Sequence, residues 1–118
     1  MDKQVIFGTV PSKSNNYMVV HKGLIKTKAL RAYEDSFYMQ CNLYRNRNIE
    51  GRFEFYIDVF YPSDRSDLDN SLKICLDALQ HIKAIKNDNK CTKIVAQKFI
   101  DKVNPRIEFS IVPVNLPE

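Results

Sequence analysis

The chain has 118 residues, 44% of them apolar and 27% charged, the proportions of one ordinary globular domain over 1–118 rather than of a disordered or collagen-like chain. No apolar run approaches the roughly 20 residues of a membrane span, and the opening Met1-Asp2-Lys3-Gln4 has no signal-peptide pattern, so a cytoplasmic chain with reduced Cys41, Cys75 and Cys91 is expected. The net charge of +4 is unevenly spread: residues 1–52 hold nine Lys/Arg against four Asp/Glu, and residues 53–118 hold nine against ten, a balance that suits a metal enzyme acting on a polyanion and equally a solvated lysine-rich face.

In chain order, "VIFGTV" (5–10) reads as a strand broken by "PSKSNN", and "YMVV" as a short strand ending in a turn at His21-Lys22-Gly23. Thr27 can cap a helix to about Asn42, because Leu30, Tyr33, Phe37 and Cys41 recur at steps of three and four. "GRFEFYIDVFYP" is the clearest strand: Phe53, Phe55, Ile57, Val59 and Tyr61 alternate onto one face, and Pro62 ends it. A second helix is expected from about Asp67 to Lys83, with Leu68, Leu72, Cys75, Leu76, Leu79 and Ile82 as its buried stripe. "KNDNK" (86–90) is a turn, and "CTKIVAQKFI" and "RIEFSIV" read as strands joined as a hairpin. The expected fold is α+β, a single mixed sheet with two helices packed on it in the order β-α-β-α-β-β.

The stretch "SDRSDLDNSLKICLDAL" (63–79) crowds Asp64, Asp67 and Asp69 at the mouth of the second helix. Capping is one reason: Ser66 or Asp67 can accept from free first-turn N–H groups, acids suit the helix dipole, and Asp69 and Lys73 form an i,i+4 pair. One good acceptor would suffice for that. A hard divalent cation is the other reason, since magnesium and manganese take carboxylate oxygens. Asp67 and Asp69 point about 200° apart inside a regular helix, but extended backbone at the cap turns i and i+2 the same way. Asp88 in the later turn is the candidate third ligand, and Lys73 can hold a phosphate or stabilise developing charge. On spacing alone both reasons stand. Asp58 and Asp77 are further acids that either face the same place or are plain structural charges.

The run "RSDLDNSLKICLDAL" resembles the RusA family of Holliday-junction resolvases: Arg65, Asp67, Asp69, Asn70, Lys73, Asp77 and Leu79 fill its pattern R-x-D-x-D-N-x-x-K-x-x-x-D-x-L in register. "VPSKSNNY" (10–17) and "KTKALRAYE" (26–34) are similar to the family's opening loop and first helix, and "NPRIEFSI" to its last hairpin. The resemblance implies a metal-dependent endodeoxyribonuclease that cuts four-way junctions symmetrically in recombination and repair. By the same resemblance Asp67, Asp69 and Asp88 bind Mg2+ (or Mn2+), Lys73 is the essential basic residue, and Asn70 supports the pocket. It also implies a homodimer, one site for each of two symmetric strands. Asn87 departs from the family, standing where it carries the first acid of a pair. That departure keeps an idle or weakened branched-DNA-binding protein in view, beside a nuclease that prefers forks or flaps. Lys13, Lys26, Lys28 and Arg31 are candidate phosphate contacts, and Tyr17, Tyr33, Phe37, Tyr38 and Tyr44 hold a candidate aromatic wedge or, at helical spacing, core.

Overall fold

The computed structural model describes residues 2–12, 17–21 and 23–114. Six strands and two helices follow in the order β1 (Gln4–Phe7), β2 (Tyr17–Val20), β3 (Gly23–Lys26), α1 (Lys28–Gln40), β4 (Phe53–Tyr61), α2 (Leu68–His81), β5 (Cys91–Ile100) and β6 (Arg106–Pro113). The fold is α+β. Four strands make one mixed sheet in the order β1-β6-β4-β5, and β2 and β3 form a separate ribbon.

Strand β4 sits at the sheet's centre because its sequence can be buried twice over. Phe53, Phe55, Ile57, Val59 and Tyr61 are buried, and the residues between them are half-buried. Its odd-numbered face joins Ile107, Phe109 and Ile111 of β6 and Ile6 of β1 in one core with residues of both helices. Phe109 is the hub: its ring lies 5.8 Å from Phe37, 5.9 Å from Phe55 and 5.6 Å from Tyr44. Three of the five aromatics considered for a wedge, Tyr33, Phe37 and Tyr44, are therefore core. Cys41 and Cys75 are buried thiols, Cys75 pushed up to about 12 by burial, and Cys91 is half-buried.

Helix α1 begins where Thr27, in extended backbone, accepts from the Leu30 N–H at 3.2 Å. Leu30, Tyr33, Glu34 and Phe37 form its buried stripe. Helix α2 crosses back over the sheet between parallel β4 and β5, so its two ends lie at opposite ends of those strands. It is rotated from the expected stripe. Ser71, Ile74, Cys75, Ala78, Leu79 and Ile82 are buried, whereas Leu68, Leu72 and Leu76 are only partly so.

The expected hairpin of the last two strands is not formed. Strand β6 pairs antiparallel with β4 and β1, and β5 pairs in parallel on the other side of β4. The central apolar strand separates them, because β4 has two faces and two edges to satisfy and β5 has polar and exposed residues that tolerate the sheet margin. Asp58 takes the sheet face away from the helices, opposite Glu108 and Gln97.

Candidate active site

The N-terminal end of α2 is built so that its first carboxylate is left over. Asp67 occupies the cap position with φ −92° and ψ 129°, yet its side chain makes no cap hydrogen bond. Its backbone is held instead, by Tyr61 Oη, which donates to the Asp67 carbonyl at 3.1 Å and is also hydrogen-bonded to buried Ser71. Burial raises the Tyr61 phenol above its ordinary pKa, and the Ser71 bond opposes that shift. This tyrosine was not singled out in the sequence. Its alternation onto the core face, directly before the acidic run, is the signal that could have found it.

Asp69, exposed in the first turn, accepts from the Asn70 N–H at 2.9 Å. One of the two acids thus does local helix-end work, and the other does none. Extended backbone at Asp67 meets the condition under which i and i+2 carboxylates can serve one ion. Asp67 opens onto a cleft of about 470 Å³ walled by Val10 and Pro11 on one side and Arg65, Asn70 and Ser71 on the other. Asn70 also lines a second cleft of about 260 Å³, with Lys73, Asp77, Glu34 and Tyr17. Asn70 is therefore the wall shared by both.

Asp88 lies elsewhere in the chain's own fold. It begins a short 3-10 turn, Asp88–Lys90, and its N–H donates to Gln80 Oε1 at 3.0 Å. Gln80 follows Asp69 by 11 residues, about 16 Å along the helix at ~1.5 Å per residue. Among the described residues no three His, Cys, Asp or Glu side chains converge as a metal-holding group. Asp67 and Asp69 are hard oxygen donors at the start of α2, Asp67 on the first cleft, and Asp88 is anchored near the helix's other end, where its charge acts on Asp77. Asn87, the departure from the family pattern, caps the turn of Asp88 by accepting from the Asn89 N–H at 3.0 Å. An aspartate could accept the same bond.

Lys73 is exposed, one turn inside α2, and Asp77 follows it on the same face. Burial raises the Asp77 carboxyl above its ordinary pKa; Lys73 and Lys26 pull it down, and Asp88 and Glu34 push it up. Of the proposed phosphate contacts, Lys28 and Arg31 are exposed on α1, and Lys13 lies outside the described residues. Lys26 is held by Glu34, its Nζ 3.0 and 2.9 Å from the two carboxylate oxygens.

The sequence model of the endodeoxyribonuclease RusA matches residues 8–112, nearly the whole chain. The chain belongs to the RusA endodeoxyribonuclease family. The match spans the opening loop, both helices and the four-stranded sheet except β1, which precedes it, and the last residue of β6. A search of curated proteins finds no significant match. No helix among the described residues is long and apolar enough to cross a membrane.

Proposed function

We infer that this RusA-family endonuclease is a metal-dependent resolvase that cuts four-way DNA junctions by paired symmetric phosphodiester hydrolysis, in recombination and repair. The observation that carries the reading is the uncommitted carboxylate of Asp67, at a helix cap it does not cap and at the mouth of an open cleft. A carboxylate beside polyanionic DNA is repulsive unless a cation lies between them. Asp67 and Asp69 would hold Mg2+ or Mn2+, which supplies Lewis-acid stabilisation and an activated water when bound. Lys73 would hold the scissile phosphate, and Asn70 would orient the wall between the two clefts.

Asp88 joins this set in a homodimer. Strand β5 is a sheet margin of 10 residues, with Ile94, Val95, Phe99 and Ile100 each exposed by 39–45%. A long apolar margin of this kind is a template for another strand. Its start follows Asp88, and its end is tied to the acidic loop: Lys98 Nζ reaches Asp64 at 2.9 Å, and the Asp101 N–H donates to the Tyr61 carbonyl. Antiparallel pairing of two β5 strands about a two-fold axis sets the start of one against the end of the other. It would bring the partner's Asp88 toward Asp67 and Asp69, and each site would then need both copies.

The test is cleavage of a labelled four-way junction, beside linear duplex, in magnesium, manganese and EDTA, by wild type and Asp69→Asn. Paired symmetric cuts that vanish in EDTA and in the variant are expected. Junction binding that is equal in EDTA and metal, with no cutting in either, would establish the idle binder instead. Faster cutting of forks or flaps would move the substrate preference within the same chemistry.

A further inference from the structure

The β2–β3 ribbon stands apart from the sheet, and every described residue in its two strands except Val20 and Lys26 is exposed. Its root is fastened at one place by charge. Lys26 meets Glu34, an acid 5% exposed on the buried stripe of α1, and Tyr17, the cross-strand partner of Lys26, lines the cleft that holds Asn70 and Lys73. Strand alternation puts Val19 and Leu24, themselves a cross-strand pair, on the same ribbon face one rung further out, about 7 Å beyond Tyr17 at ~3.3 Å per residue. There they are 83% and 69% exposed. An apolar pair one rung beyond a cleft-lining tyrosine is a poor thing to leave in water, and the charge of its segment says what covers it. Between Lys3 and Tyr33 the sequence has no Asp or Glu, while Lys26, Lys28 and Arg31 are all there. The first acid after Asp2 is Glu34, and Lys26 neutralises it. An apolar tip on an acid-free, basic segment suits a polyanion whose bases are accessible.

We propose that the β2–β3 ribbon is a nucleic-acid-engaging arm, in which Val19 and Leu24 pack on bases unstacked at a branch point and the Lys26–Glu34 pair fixes the arm beside Lys73. This rests on the branched-DNA reading above and adds the element that senses the branch. Intact duplex offers no unstacked base to such a pair, so the arm discriminates by substrate geometry rather than by sequence. Lys26 and Glu34 are positioning residues, and neither needs to touch the reacting atoms.

The test uses the full chain in EDTA, so that binding is read without cutting. The double variant Val19→Ser/Leu24→Ser alters only exposed side chains and leaves the core alone. It is expected to bind a four-way junction roughly tenfold more weakly, to bind linear duplex as wild type does, and to lose the brightening of 2-aminopurine placed at the crossover. The neutral pair Lys26→Gln/Glu34→Gln leaves no orphaned charge. It should weaken junction binding and raise amide exchange within residues 17–26 while the body keeps its protection. Equal weakening on junction and duplex, or unchanged fluorescence, would overturn the proposal. So would ribbon variants that alter sedimentation instead of DNA binding, since the apolar pair would then cover a second copy. Wild type that binds neither substrate would instead defeat the function proposed above.

Discussion

At the scale of single residues, two helix caps differ in the folding work they do. The Thr27 hydroxyl accepts a first-turn hydrogen bond, and the Asp67 carboxylate accepts none at the same position of α2. Thr27→Ala should therefore cost about 1 kcal/mol in urea denaturation. Asp67→Asn should leave stability unchanged or slightly raised, because one of two neighbouring negative charges is gone, while junction cleavage falls below detection. A loss of stability comparable to that of Thr27→Ala would mean that Asp67 serves the helix after all. Asp77 gives a pH prediction. Burial raises its native pKa, so between the ordinary aspartate range and the raised value the folded chain holds a proton that the unfolded chain has released. Stability contributed by this group is present at the acid end of that window and is lost as pH rises through the native value. Asp77→Asn should then be more stable than wild type at neutral pH, with the gain shrinking toward acid. If the variant is less stable at neutral pH, attraction to Lys73 outweighs burial.

At the scale of elements, the end of α2 carries stored strain that a single change would relieve. Lys83 follows the Ile82 cap at φ 61°, and the Lys83 and Ala84 N–H groups donate to Gln80 and Leu79 carbonyls at 3.1 and 2.9 Å. That bonding pattern is a helix terminator in which glycine is the usual occupant of the left-handed position. Lys83→Gly should raise stability by about 0.5–1 kcal/mol, the relief of left-handed strain reduced by the greater freedom of glycine in the unfolded chain, measured as a shift in urea midpoint. The same elements show what local sequence can carry. The period of β4 and the Thr27 cap are set within a few residues, and both were legible to the residue. Strand β3, "GLIK", was not, because it is exposed on both faces and takes its conformation from pairing with β2. The partners of β5 and β6 were misjudged because adjacency in sequence says little about which strand lies between two others. The stripe of α2 was misjudged by a rotation: Ser71, polar in the sequence, is buried because Tyr61 hydrogen-bonds it. Glu34 was legible in principle, as an acid among the stripe residues Leu30, Tyr33 and Phe37. Motif matching names Asp67, Asp69 and Asp88, but it carries no information about the 14-residue helix that stands between the first two and the third in the chain.

At the scale of the whole molecule, that separation makes a prediction that a self-contained site does not. If the partner's Asp88 completes each site, Asp69→Asn and Asp88→Asn are each inactive alone but complement each other when mixed. In a heterodimer of the two, one site joins the substituted residue 69 to the substituted residue 88 and is doubly defective. The other joins native Asp67 and Asp69 of one copy to native Asp88 of the other and is whole. Equal mixing with free exchange makes about half of the dimers mixed, so about a quarter of all sites are whole. The expected result is recovery of magnesium-dependent cleavage in the mixture, delivered as single nicks rather than paired cuts, since no dimer holds two whole sites. If Asp88 reaches Asp69 within its own chain, neither copy of a mixed dimer has a whole site and mixing restores nothing. The interface has its own check in the same assay. Replacing exposed Val95 by lysine adds like charges across the antiparallel β5 pair, and should abolish both dimer sedimentation and recovery on mixing while leaving the urea midpoint of the chain in place. Dimer sedimentation and recovery on mixing that both survive Val95→Lys would rule out β5 as the shared edge, even though cleavage itself would still stand.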